Sequence, residues 1–64
     1  MTPTQIREAL QSLGLDQSQA ARMLGYSRLA SVSDIVTGKR NPSGAVLRLL
    51  AAYLDGYRPN DWPS

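Results

Sequence analysis

The chain has 64 residues, seven basic against five acidic for a formal charge of +2, and neither cysteine nor histidine. A single domain of this length removes only about 60% of the unfolded chain's exposed surface on folding, so the core is thin and a second copy is a natural source of further burial. Without cysteine or histidine there are no disulfides and no thiolate or imidazole metal ligands, and the commonest general base is missing, which leaves catalysis to five scattered carboxylates and unassisted hydroxyls; no enzyme is expected, and no metal, cofactor or small-molecule site.

Thr2-Pro3-Thr4-Gln5 combines a Thr N-cap, a Pro at the first helical position and a Gln placed to close a capping box. Ile6, Ala9, Leu10 and Leu13 then recur at helical spacing and predict one buried stripe, with Arg7, Glu8, Gln11 and Ser12 outside. Gly14 ends this helix, since the residue just past a helix often takes a positive φ.

Asp16, with Gln19 at the capping-box position, predicts a second helix over residues 17–24 that turns Ala20, Ala21 and Leu24 inward and holds Met23 at its margin. Two adjacent alanines let a neighbouring helix approach closely, and Gly25 closes the segment. A third helix follows with Leu29, Val32, Ile35 and Val36 inward. Its start has two candidates: Ser27 as N-cap, or Ser31 with Asp34 as a second capping box, and the first is preferred because a helix beginning at Val32 would be very short. Gly38 stops it, and Lys39-Arg40 sits near its C-terminus, where the helix dipole favours cations.

Asn41 or Ser43 opens a fourth helix whose Val46, Leu47, Leu49, Leu50, Tyr53 and Leu54 cover a broader apolar arc than a single surface stripe requires. The surplus serves either as the central helix of a small core or as a surface for a second protomer. After Asp55-Gly56, two prolines exclude regular structure from the tail over residues 57–64, and its Tyr57 and Trp62 predict folding back onto the domain or onto a partner, with terminal disorder as the alternative. The expected architecture is all-α, a compact bundle of four to five helices: a domain over residues 1–56 and an aromatic, Pro-containing tail over 57–64.

Six of the seven basic residues are Arg and the sequence pI is about 9.5. That basic balance suits either an ordinary basic surface or a nucleic-acid binder. The first five residues lack the basic start and apolar run of a secretory peptide, and Arg48 interrupts the longest apolar stretch well short of a membrane span, so a soluble, cytoplasmic protein is expected.

The stretch from Asp16 to Arg40 reads as two short helices joined by a Gly-containing turn. At Gln17, Ala21, Gly25, Val32 and Ile35 it resembles the helix-turn-helix of the phage lambda repressor and Cro family. In that pattern a Gln begins the second helix, an Ala sits at the helix contact, a Gly follows in the turn and two β-branched residues anchor the recognition helix. Gly38-Lys39-Arg40-Asn41-Pro42-Ser43 is similar to the family's exit into its fourth helix, and the likeness spans about residues 6–54. Val32 lies one position further from Gly25 than the family spacing puts it, so either the turn is longer or the recognition helix begins irregularly.

The resemblance implies a DNA-binding transcriptional regulator with its third helix in the major groove, N-terminal residues toward the base edges. On that geometry Arg28, Ala30, Ser31, Ser33 and Asp34 are candidates for base contact: Arg28 for guanine, Asp34 for cytosine N4 and Ala30 for a thymine methyl. Asp34 reads equally as a solvated or internally paired carboxylate. Gln17, Ser27, Thr37, Lys39, Arg40 and Asn41 are the candidates for phosphate contact, Gln17 through its likeness to the family's own phosphate ligand. Arg7 and Arg22 are read as surface residues. One recognition helix reads too few base pairs to single out a site, so a homodimer on a palindromic double-stranded operator is expected, joined through Leu50, Tyr53, Leu54, Tyr57 and Trp62. With no room for an effector domain, repression by occupying a promoter is the simplest mechanism. The competing reading is a protein-interaction module on the same fold, such as an antitoxin or phage inhibitor, acting through the tail and the Leu-rich helix.

Overall fold

A computed structural model describes residues 1–63, so Ser64 at the end of the predicted tail lies outside the described residues. It contains four helices, α1 (Pro3–Ser12), α2 (Gln17–Leu24), α3 (Leu29–Val36) and α4 (Gly44–Leu54), and no strand among the described residues. α3 packs against both α1 and α2, while α4 lies on α2.

The first two helices start where local side-chain chemistry places them. Thr2 and Asp16 each accept from the backbone amide three residues on, and Gln5 and Gln19 each accept in return from the cap's own amide, giving two complete capping boxes. Of the two candidates for α4, Ser43 is the cap, accepting from the Val46 amide at 3.3 Å. α3 departs from expectation. Its N-cap is neither Ser27 nor Ser31 but Arg28, in an extended conformation and with no side-chain cap bond.

The core is a single cluster drawn from all four helices, centred on Ile6, Leu10, Ala20, Leu24, Val32, Ile35 and Leu50. Ala20 is fully enclosed and Ala21 nearly so, as the close approach of α2 to α3 requires. Met23, expected at the margin, is buried, and so is Leu15, which follows the α1–α2 turn and lies off any helical stripe. Leu29, expected inward, is 51% exposed. It is the first residue of α3, with no preceding helical turn to set it over the core, and it stands at the rim.

The tail folds back onto its own domain. Tyr53 is buried and donates its hydroxyl hydrogen to the Met23 carbonyl at 2.7 Å, satisfying an acceptor in the last turn of α2 that the helix itself cannot. Trp62 meets the Tyr53 ring edge-on at 4.9 Å between centroids, and Tyr57 stacks parallel to Tyr53 at 5.9 Å. Arg58 closes the arrangement: one guanidinium nitrogen donates to the Tyr53 and Tyr57 carbonyls at 2.7 and 2.8 Å, and the group lies 4.3 Å from the Trp62 ring centre. The Cα radius of gyration, 10.6 Å, is that of a compact chain of this length, about 11 Å.

Candidate nucleic-acid interface

The α2–α3 unit is built by its turn. Gly25, at φ +84°, allows the Tyr26 amide to reach back to the Ala21 carbonyl at 2.8 Å, a closure that a β-carbon at that φ would oppose. The chain then runs extended through Arg28 before α3 begins. The first turn of α3 is closed by a bond from the Ser31 amide to the Arg28 carbonyl at 3.2 Å.

Of the five residues considered for base contact, Arg28 and Ala30 are exposed at the start of α3, while Ser31, Ser33 and Asp34 are half-buried along its flank. Leu29 joins the exposed group. Sequence reasoning missed it because its spacing to Val32 matched the buried stripe. Arg28, Leu29 and Ala30 thus form a run of three exposed residues at the helix N-terminus.

The phosphate candidates divide. Gln17, Ser27, Lys39 and Asn41 are exposed, Gln17 at the first position of α2 and Lys39 just past α3. The Thr37 hydroxyl donates back to the Ser33 carbonyl at 2.8 Å and contacts that of Asp34 at 3.3 Å, so its single hydrogen is already committed within the helix. Arg40 is turned toward the protein: its Nη1 donates to Ser31 Oγ at 3.3 Å and its guanidinium carbon lies 5.5 Å from the Tyr26 ring centre. Arg7, read as a surface residue, donates from Nη2 to the Val36 carbonyl at 3.1 Å, which brings positive charge to the C-terminus of α3, whose last turn holds no basic residue, and ties α1 to it.

Of the residues considered for contact with a second protomer, Leu50 and Tyr53 are enclosed within the protomer's own core and Trp62 is half-buried against it. Leu54 and Tyr57 remain, 44% and 54% exposed and adjacent at the C-terminal end of α4. The broad arc of α4 is mostly consumed by α2 and the tail. No helix among the described residues is long and apolar enough to cross a membrane.

A shallow cleft between α1, the start of α2 and the end of α3 has an apolar floor of Leu10, Leu15 and Val36 and a polar edge including Arg7 and Gln17. Among the described residues no group of three or more carboxylate, imidazole or thiol side chains converges as a metal site would require.

Compared with known proteins, the chain matches a family model described as Helix-turn-helix over residues 6–62. No curated protein and no solved structure matches it. The matched span takes in all but the first turn of α1, the α2–turn–α3 unit, α4 and the tail through Trp62. With two short helices closed on a glycine turn, a third helix whose outer N-terminal face is open, and a match covering most of its length, the chain belongs to the lambda repressor and Cro-like helix-turn-helix family of DNA-binding domains.

Proposed function

We propose that the protein is a sequence-specific repressor that binds a palindromic operator as a homodimer and acts by occupying a promoter. The observation that carries this reading is the exposed start of α3: Arg28, Leu29 and Ala30 are consecutive exposed residues on a helix packed against α1 and α2. Arg28 offers the planar donor pair that matches guanine O6 and N7, and Leu29 and Ala30 offer apolar contact for a thymine methyl. Ser31, Ser33 and Asp34 flank that turn and extend the readout along the helix. Gln17, Ser27, Lys39 and Asn41 surround it and supply backbone contacts that fix register.

Dimerisation rests on a smaller surface than the sequence suggests, the adjacent Leu54 and Tyr57. A protomer of 30 × 21 × 20 Å is commensurate with half-sites separated by one turn of B-DNA, about 34 Å. Packing of Trp62 against Tyr53 occupies the indole within the protomer, which supports repression over a protein-capture reading.

Selection of bound sequences from a random duplex pool tests the proposal. The expected product is a palindrome with half-sites one helical turn apart, bound with an affinity that falls with salt by a log–log slope of roughly −0.9 for each phosphate neutralised. A pool that yields no enriched sequence, or binding indifferent to salt, refutes it.

A further inference from the structure

Three of the four helices begin with a side-chain cap, on Thr2, Asp16 and Ser43; α3, whose first turn faces outward to read bases, has none. Its first amides lack the acceptor that a Ser, Thr, Asp or Asn provides, and a helix of eight residues is far too short to hold itself together. Something else must keep that turn wound.

The other end of the same helix supplies it. Gly38, at φ +85°, reverses the chain so that the Lys39 and Arg40 amides both donate to the Asp34 carbonyl, at 2.8 and 3.2 Å. This sends the Arg40 side chain back along α3, where Nη1 meets Ser31 Oγ at 3.3 Å and the guanidinium stands 5.5 Å from the Tyr26 ring centre. Tyr26 is itself anchored, by its amide on the Ala21 carbonyl and by its ring against the core. One planar cation thus joins the α2–α3 turn, the first turn of α3 and the exit loop.

We propose that Arg40 is a positioning residue that sets the sequence specificity of α3, tethering its uncapped base-reading turn through Ser31 and Tyr26. This rests on the DNA-binding reading above. The role calls for a guanidinium: a lysine ammonium keeps the charge but cannot lie flat over Tyr26 while donating sideways to Ser31. Unwinding the first turn costs the base readout assigned to residues 28–31 and leaves backbone contacts at Lys39 and the start of α2 intact.

The test compares Arg40→Lys, Tyr26→Leu and Tyr26→Phe for affinity to the selected operator and to a scrambled duplex, with Ser31 amide exchange measured by NMR on the free protein. Expected is a roughly fivefold fall in the operator-to-scrambled ratio for Arg40→Lys and for Tyr26→Leu, the scale of one exposed cation–π contact or one hydrogen bond. The double variant should lose no more than either alone, Tyr26→Phe should keep the ratio, and Ser31 exchange should quicken in step. If Arg40→Lys leaves both ratio and exchange unchanged, or if Arg40→Ala weakens operator and scrambled duplex equally and shallows the salt slope by about 0.9, Arg40 is a phosphate ligand and the proposal is overturned. Should the native protein select no DNA, the repressor reading fails by itself; the exchange measurement still decides whether Arg40 holds the turn.

Discussion

Replacing Tyr53 by Phe isolates a single interaction between the C-terminal half of the chain and α2. The hydroxyl donates at 2.7 Å to the Met23 carbonyl in a setting where Tyr53 is only 3% exposed. Phenylalanine preserves the ring, and with it the edge contact to Trp62 and the stack on Tyr57. What is lost is one donor, and what remains is a carbonyl at the end of α2 sealed from water. A buried acceptor stripped of its partner costs about 1–3 kcal/mol. In a domain this small each kcal/mol moves the unfolding midpoint by about 4–8 °C, so a cost near 1.5 kcal/mol lowers Tm by about 6–12 °C. Thermal unfolding followed by far-UV circular dichroism reads this directly, with Tyr57→Phe, whose residue is mostly exposed, as a control expected to melt with the native protein. A Tyr53→Phe midpoint within about 2 °C of native would mean that the carbonyl finds water or that the bond contributes nothing net, and the account of α4 docking would fail.

The same hydroxyl predicts a pH dependence. Burial, with the neighbouring Tyr57 and Asp61 adding to it, pushes the Tyr53 phenol above its ordinary value near 10. A raised folded value means that the folded state keeps the proton longer than the unfolded one, so this contribution to stability is whole below about pH 10 and is lost as pH rises through the folded value; Tyr53→Phe should lack that part of the alkaline loss. Lys39→Ala should weaken operator and scrambled duplex alike and shallow the salt slope by about 0.9 per protomer, measured by titration at several salt concentrations; an unchanged slope removes Lys39 from the backbone contacts. Gly25→Ala introduces a β-carbon with nothing within 4 Å of it, so its cost is purely the left-handed backbone, about 1–2 kcal/mol by denaturant unfolding. Arg7→Ala should lower stability by about 1 kcal/mol through the bond to the Val36 carbonyl, an effect diminished by the exposure of the guanidinium.

The parts of this fold legible in sequence are those fixed by neighbours in the chain. Thr2 with Gln5 and Asp16 with Gln19 mark helix starts because each box closes within four residues, and Gly25 and Gly38 mark ends because a positive φ is a local demand. Ala20, Ala21, Val32 and Ile35 were readable as core from period alone. What escaped depends on partners distant in sequence. Leu29 shares the spacing of the buried stripe, yet the helix begins at it and leaves it outside. Arg7 read as a surface charge, Arg40 as a phosphate ligand and Arg58 carried no reading, and each donates within the protein, two of them to carbonyls near a helix C-terminus and one across the start of α3. Nothing in composition distinguishes a guanidinium facing solvent from one that completes a helix end, because the acceptor is supplied by the tertiary fold. Tyr53 and Leu50 were placed at a dimer contact for a related reason: the width of the α4 arc is visible in sequence, but the return of the tail that helps cover it is not.

Trp62 is the only tryptophan in the chain, and it sits edge-on to Tyr53 beneath the Arg58 guanidinium, remote in sequence from the helix offered to DNA. The protein consequently carries its own optical gauge. Indole emission reports whether the C-terminal segment is seated, and α3, which has no aromatic residue, is silent to it. A fluorescence melt therefore follows the C-terminal segment while far-UV circular dichroism follows the helices, and fraying at the C-terminus can be separated from loss of helix without attaching any label.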